Sequence, residues 1–507
     1  MMTDLSVTPG TVYLVGAGPG DPGAITLRAV ECLQGADLIL WDYLVNPVLI
    51  EHASPKAELV RLGKPASGRA LTPDEITALM LDAARAGRSV VRLKSGDASV
   101  FGRGADEMDA LRKAGIPFEV VPGITAGLAV AAFNEIPVTH HAAASAVALV
   151  TGRERDEKTA LQLEKGLAEF PGTLVFYMGV RKAPVWSRTL IERGKPGATP
   201  VAIVRWCSRA EQKTVRCTLE TVAEAIEEHG IRPPALFVVG PVVDHAPAVS
   251  WFEARPLFGT TILLPGTPRT SGKLHRYLGS HGANVILAPA IRIDEPDDWS
   301  QVDDVLRSLN EYDWLVFSSA NGVDFLLRRL FAIGFDSRRL GGVRLAAIGP
   351  GTAERLCAYH LNADLIPDTF TAEALADALS PTAAGQRFLL ARASRGRDIL
   401  ANRLKEAGGD VTQVVVYTSV GVEDAHPHVA EALAAGDIDW VTVASSETAK
   451  SLFRLYDSLL INTKLASISP LTSGTIRELG FEPAVEANIH TMKGIADAIL
   501  SYRRSGS

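Results

Sequence analysis

"VYLVGAGPGDPGAITL" occupies residues 12–27. A short apolar run, Val12 to Val15, meets Gly16, Gly18 and Gly20, the pattern of a strand entering a glycine turn ahead of a helix. The spacing invites comparison with G-x-G-x-x-G, the loop that seats a pyrophosphate on a helix N-terminus. The third glycine of that pattern is missing, because Asp21 stands there. Pro19 and Pro22 each remove a backbone N–H. A turn that gives up two donors and adds a carboxylate suits a phosphate-bearing dinucleotide poorly. A plain structural tight turn is the alternative reading.

Outward from this turn the chain reads as α/β. Strands are expected at 12–15, 38–41, 90–94 and 118–123, with helical patterns between them. "TPDEITALMLDAARAG" is a helix with Thr72 as cap, Pro73 at its first position and Gly87 at its stop. A second lobe starts near residue 146 with four apolar runs, "AVALVTGRE", "GTLVFYMGV", "TPVAIVRWCS" and "ALFVVGPVV". The proline-bearing tract 244–259 reads as a connector.

The bulk numbers bound what this can be. A chain of 507 residues suggests about three or four lobes at roughly 150 residues per domain. A hydrophobic share of 47% and a charged share of 21% fit a globular protein, and a net charge of −7 argues against a nucleic-acid coat or an anionic membrane surface. Four cysteines without a C-x-x-C pair leave no disulfide framework and no metal site to expect. The start "MMTDLSVTPG" lacks a basic n-region and an apolar h-region, and no apolar run is long enough to span a bilayer. A reducing cytoplasm is the expected location.

The second half contains an internal repeat. "DWLVFSSANGVDFLLRRL" (313–330) matches "DWVTVASSETAKSLFRLY" (439–456). "LAAIGPGTAERL" (345–356) matches "LASISPLTSGTIREL" (465–479), and "TFTAEALADAL" (369–379) matches "HTMKGIADAIL" (490–500). Ser and Thr recur at the same strand-to-helix turns, where ligands of open α/β sheets bind. Duplicated packing without a shared site is the plainer reading.

"VYLVGAGPGDPGAITLRA", "DLILWDYLV", "RLGK", "VRLKSGDASVFGRGADE", "VVPGITAG", "IPVTH" and "LVTGR" occur in that order. In them the chain resembles the S-adenosylmethionine-dependent uroporphyrinogen-III C-methyltransferases, within the tetrapyrrole methylases, over about residues 10–253. The resemblance implies cofactor contacts from Pro19, Ser95, Gly96, Asp97, Val100, Thr125, Ala126 and Met178, with Cys207 through its backbone. It implies Asp42 as proton acceptor, with a helix N-cap as the alternative role. Lys64 would be a proton donor or, equally, a carboxylate anchor. Arg103 would clamp a substrate carboxylate, since guanidinium pairs with carboxylate bidentately. Departures from the family pattern fall at Ala98, where a proline is usual, and at Asp106, which replaces a longer carboxylate. Cys207 stands at a glycine position, where a positive φ would be costly, and His141 replaces an arginine.

Residues 259–504 resemble uroporphyrinogen-III synthase, in "PRTSGKLHRYLGSHGANVILAPAIRI", "WLVFSSANGV", "AAIGPGTAERL", "FLLARASRGRDILANRLKEAGGDVTQVVVYTSV" and the repeated units. The resemblance implies Tyr417 as proton donor to a leaving hydroxyl. It implies Arg269, Ser318, Ser319, Thr352, Arg392, Ser445, Ser446 and Thr472 as holders of substrate carboxylates. For each Ser and Thr a plain helix N-cap is the alternative.

The expected fold is α/β throughout. A methylase fold of two lobes (1–253, dividing near 145) precedes a two-lobed synthase-like domain (259–507). One synthase lobe is discontinuous, 259–290 plus 423–507. The other is 296–410, and extended stretches near 289–295 and 411–421 join them. The expected function is cyclisation of hydroxymethylbilane to uroporphyrinogen III, then two methyl transfers from S-adenosylmethionine to give precorrin-2. A methylase for a later corrin intermediate joined to a tetrapyrrole-binding module is the alternative. No metal, nucleic acid or membrane partner is expected, and the family implies a homodimer. No G-x-G-x-x-G unit for a dehydrogenase is present, so the sequence of steps should stop at precorrin-2.

Overall fold

The computed structural model describes residues 7–63, 71–152, 166–266, 268–395 and 398–505, with the backbone alone at 268–270. The chain divides into two compact units, Met1–Thr260 with Gly279–Asn284, and Thr261–Leu278 with Val285–Ser507. Among the described residues no helix is long and apolar enough to cross a membrane.

The first unit opens with strands β1 (Val12–Gly16), β2 (Leu38–Asp42), β3 (Glu58–Leu62), β4 (Val90–Lys94) and β5 (Phe118–Val121). They form a parallel sheet in the order β3-β2-β4-β1-β5. Strands β1 and β4 are buried along their whole length, as a sheet covered on both faces requires. The helix Pro73–Arg85 carries the expected Thr72 cap as a reciprocal capping box with Glu75.

A mixed sheet follows, of β6 (Val147–Thr151), β7 (Thr173–Tyr177), β8 (Pro200–Arg205), β9 (Lys213–Thr218) and β10 (Ala235–Val239), in the order β6-β7-β10-β8-β9. Strands β3 and β9 escape the sequence reading because they are sheet edges with polar residues among the apolar ones. The tract 244–259 is no loose connector. Phe252 and Leu257 are fully buried, and the Trp251 indole N–H donates to the Ala132 carbonyl at 2.7 Å. Pro256 lies in a turn, and Trp251 and Phe252 anchor the tract.

The second unit contains β11 (Thr261–Leu264), β12 (Asn284–Leu287), β13 (Ile291–Asp294), β14 (Trp314–Phe317), β15 (Arg344–Ala347), β16 (Arg387–Ala393), β17 (Asp410–Gly421), β18 (Trp440–Val443), β19 (Lys464–Ser467) and β20 (Val485–Glu486). One sheet runs β12-β11-β18-β19-β20 and the other β13-β17-β16-β14-β15. The two stretches expected to join the lobes pair with each other: β13 lies antiparallel to the end of β17, from Ile291 opposite Gly421 to Asp294 opposite Thr418. The start of β17 runs parallel to β16. Each half of the repeat builds the same strand, capped helix and strand.

Candidate active sites

In the first unit the loops after β1, β4 and β5 meet backbone to backbone. A Cβ on Gly16 would lie 2.6 Å from Gly123 and 2.8 Å from the Gly96 oxygen, so only glycine fits there. Gly18 and Gly96 exchange hydrogen bonds, 3.1 Å from the Gly18 N–H and 2.8 Å from the Gly96 N–H. The Ala17 N–H donates to Lys94, the Asp21 N–H to the Ser208 hydroxyl at 3.0 Å, and the Gly23 N–H to the Asp21 carboxylate at 2.7 Å. The donors of Ala17, Gly18, Asp21 and Gly23 are thus all committed within the protein, and the two prolines have none. None of these four N–H groups is left over to hold a phosphate.

The loop bearing Ser95, Gly96, Asp97 and Val100 faces the Thr125–Ala126 turn. A Cβ on Gly96 would stand 3.6 Å from the Thr125 Cα. Asp97 braces this loop with its side chain, accepting from Ser99 N–H at 2.8 Å and Gly123 N–H at 2.9 Å. Burial pushes the Asp97 carboxyl up, but its bonds from Ser99 and Gly123 outweigh that and hold it below the ordinary value. The brace and the buried Ala98 pack the loop where a proline is usual.

Tyr177, at the end of β7, accepts from the Gly127 N–H at 2.7 Å and shares a hydrogen bond with Thr125 at 2.8 Å. It ties the turn at Thr125 to the second sheet. Burial raises its phenol, against the opposing effect of those bonds. Met178 beside it is half-exposed at φ 55, and Phe101, at φ 52, sets its ring 4.9 Å from that of Tyr177. Left-handed backbone at non-glycine residues is costly and gathers at functional sites. Trp206 and Ser208 are left-handed too, at φ 51 and 67, whereas Cys207 between them is not. Cys207 is therefore accommodated without backbone strain. Its buried thiol, pushed up by burial, points to Asn134 at 3.6 Å.

Asp42 ends β2 and caps no helix, the following turn being capped by Asn46. Its carboxylate meets the Arg92 guanidinium at 2.6 Å. Arg92 also pairs with Glu107 at 3.0 Å, and Glu107 with Lys94 at 2.9 Å. The sequence reading passed over Arg92, Lys94 and Glu107, although two cations in the buried run "VVRLK" were a signal. Arg103 stands half-exposed before the helix Gly104–Ala114, 3.8 Å from Asp106. Lys64 lies outside the described residues.

In the second unit Ser319 caps the helix Ala320–Ala332, accepting from the Gly322 N–H at 3.0 Å. Its hydroxyl also meets the Tyr417 hydroxyl at 3.0 Å. A register shift in β16 and β17 near Arg392 sets Tyr417 opposite Ala393, and its ring stacks on Phe325 at 5.7 Å. Burial pushes the Tyr417 phenol above its ordinary value, against the pull of Ser319, so it stays protonated at neutral pH. Ser318 is exposed beside this pair.

Thr352 is buried in the first turn of the helix Pro350–Cys357. Ser445 caps the helix Ser446–Tyr456, and Ser469 caps Pro470–Glu478, where Thr472 is buried. The Thr475 hydroxyl donates to Ser446 at 2.8 Å. Arg392 is engaged with Asp398 and with Gln413 at 2.7 Å. The side chain of Arg269 lies outside the described residues. Of the serines expected to hold carboxylates, Ser319 and Ser445 fill the alternative role of helix cap.

Residues 11–223 match the family model of tetrapyrrole (corrin/porphyrin) methylases, and residues 272–497 match uroporphyrinogen-III synthase HemD. The porphyrin biosynthesis protein HemD of Ruminiclostridium josui is 31% identical over 440 residues, 87% of either chain. A uroporphyrinogen-III C-methyltransferase of Bacillus subtilis (strain 168) is 42% identical over 246 residues, covering 48% of this chain and 96% of that one. A solved structure of the uroporphyrin-III C-methyl transferase of Thermus thermophilus, complexed with S-adenyl homocysteine, is 38% identical, covers 46% of this chain and 99% of that one, and has a TM-score of 0.40.

The chain belongs to the family of porphyrin-biosynthesis proteins that join a tetrapyrrole methylase to a HemD-type uroporphyrinogen-III synthase. It is a bifunctional enzyme of tetrapyrrole biosynthesis, a C-methyltransferase in its first half and a synthase in its second.

Proposed function

We propose that the second unit closes hydroxymethylbilane to uroporphyrinogen III, inverting the last ring and releasing water. The first unit then methylates that product twice, at C2 and C7, giving precorrin-2. The observation that carries this reading is the presence of both family matches, 11–223 and 272–497, in one chain.

S-adenosylmethionine, when bound, supplies an electrophilic methyl group on a sulfonium. It has a carboxylate, a ribose and an adenine but no phosphate, which suits a glycine turn whose donors are already committed. Pro19, Ser95, Gly96, Val100, Thr125, Ala126 and Met178 would hold it, with Cys207 through its backbone. Asp97 would act by bracing the loop. Asp42 accepts the proton that the macrocycle loses after each methylation, and Arg103 and Lys64 meet substrate carboxylates. In the synthase half Tyr417 donates a proton to the departing hydroxyl, which leaves as water. The caps Ser319 and Ser445, with Ser318, Ser446, Thr352, Thr472, Arg269 and Arg392, hold the carboxylates of a flexible substrate in one folded shape. The enzyme works in the cytoplasm as a homodimer on this reading.

A coupled assay tests the whole. The intact chain is given hydroxymethylbilane and methyl-labelled S-adenosylmethionine. Two labels in a type III product are expected. A type I product alone would overturn the synthase step, and an unlabelled type III product the methylase step.

A further inference from the structure

The first unit gathers four ionisable side chains, three of them buried, where β2, β4 and the helix Gly104–Ala114 come together: Asp42, Arg92, Lys94 and Glu107. Their formal charges cancel. The side chains of Arg92, Lys94 and Glu107 are 5%, 3% and 10% exposed, and that of Asp42 is 29% exposed. One carboxylate therefore reaches outward while three partners stay inside.

The guanidinium of Arg92 is fixed through all its nitrogens. Nη2 donates to Asp42 Oδ1 at 2.6 Å, Nε to Glu107 Oε1 at 3.0 Å, and Nη1 to the carbonyls of Leu93 at 3.3 Å and Leu40 at 3.5 Å. Lys94 holds Glu107 in turn at 2.9 Å. Burial and the Arg92 charge push the Lys94 ammonium below its ordinary value, against the pull of Glu107 and Asp42. Among the described residues nothing hydrogen-bonds to Asp42 Oδ2.

Stability alone does not account for this arrangement. Buried charge sets are commonly no more stable than apolar side chains of the same volume, and the neighbours Val90, Val91 and Leu93 on the same strand are apolar. What the set does achieve is a fixed direction for one partly exposed carboxylate. We infer that Arg92 is a positioning residue for methyl transfer, aiming Asp42 from below while Glu107 and Lys94 hold Arg92 in place. The inference rests on the reading of Asp42 as proton acceptor. Abstraction of a proton from the methylated macrocycle depends on geometry, and a misplacement of about 1 Å can cost on the order of a hundredfold.

The test is a double-mutant cycle in the full chain. The charge-balanced variant Arg92→Gln/Glu107→Gln leaves Asp42 and Lys94 as the remaining opposite charges. It should bind S-adenosylhomocysteine with an unchanged Kd and show unchanged KM values. Its kcat for methylation of uroporphyrinogen III should fall by about tenfold to a hundredfold. Adding Asp42→Asn should then cost less than about threefold more, because both lesions remove one function. Arg92→Lys, which keeps the charge and loses the fork, should also lower kcat while leaving KM alone, and it serves if the double variant does not fold. Full kcat in these variants, a loss that multiplies with that of Asp42→Asn, or a loss confined to Kd would overturn the inference. Full kcat in Asp42→Asn alone would instead remove the proton-acceptor reading beneath it.

Discussion

The two halves of the repeat in the second unit share a backbone and differ in the chemistry that locks their helices. In each, an aspartate precedes the strand and accepts from the first residue of the neighbouring strand: Asp313 from the Arg387 N–H and Asp439 from the Thr261 N–H, both at 2.7 Å. In each, a serine caps the following helix, Ser319 or Ser445. In each, a threonine caps the last helix, Thr371 at 3.1 Å and Thr491 at 3.0 Å. The locks differ. In the first half buried Asp324 joins the helices Ala320–Ala332 and Pro350–Cys357 through Arg355, and Tyr359 donates to it at 2.8 Å. In the second half the equivalent helices meet through the hydroxyls of Ser446 and Thr475. Among the described residues Tyr417 bonds to the cap of the first half and not to that of the second. The duplicated backbone sets where donors stand, and the unduplicated side chains set how the helices are locked.

Asp324→Ala should break this contrast most strongly. It leaves Arg355 and Tyr359 without their shared partner. We expect a loss of about 3 kcal/mol by urea unfolding, the low end for a broken buried pair because Arg355 keeps partial access to water. A loss no larger than that of Ser446→Ala would show that the two locks are energetically alike.

Tyr417→Phe comes next. It keeps the stack on Phe325 and removes the hydroxyl shared with Ser319. Synthase kcat should fall about a hundredfold, equivalent to about 2.7 kcal/mol. Methylation of supplied uroporphyrinogen III should be unaffected. Ser445→Ala, at the matching cap without a tyrosine, should change KM more than kcat. Chromatography of type I and type III isomers reads both, and equal kcat losses would erase the asymmetry.

Much of this was legible in the sequence because it is local. The strand 90–94, the Thr72 cap and the repeat of strand, Ser-Ser turn and helix follow from periodicity and capping within a dozen residues. What was not legible depends on chain crossings. Arg92 and Glu107 stand on different elements and meet only once β4 passes the helix that follows it. Tyr177 reaches Gly127 across fifty positions of sequence. Asp324 reads as one more polar residue on an amphipathic helix, and only the packing of the next helix shows it to be buried. Strands β3 and β9 carry mixed residues because each has one unpaired edge, so no apolar run marks them.

Ser446→Ala should cost about 1 kcal/mol, the usual net value of one neutral hydrogen bond. Its margin should hold across pH, since no charge is involved.

The smallest effect separates the halves by pH. In the first half Arg329 pairs with Asp303 through two bonds of 2.6 Å, joining the helices Ser300–Arg307 and Ala320–Ala332. These bonds hold the Asp303 carboxyl below its ordinary value of 3.8, against burial. As pH falls, the unfolded chain takes up this proton first. The stability contributed by the pair is therefore complete above the ordinary carboxyl value and is lost as pH drops through the lower folded value. Asp303→Asn should unfold at lower urea than the parent at pH 6, and the gap should close as pH falls below 3.8. The gap for Ser446→Ala should stay constant over the same range. A pH-independent gap for Asp303→Asn would mean that this pair acts by shape alone, and that charge in the first half is confined to the Asp324–Arg355 lock.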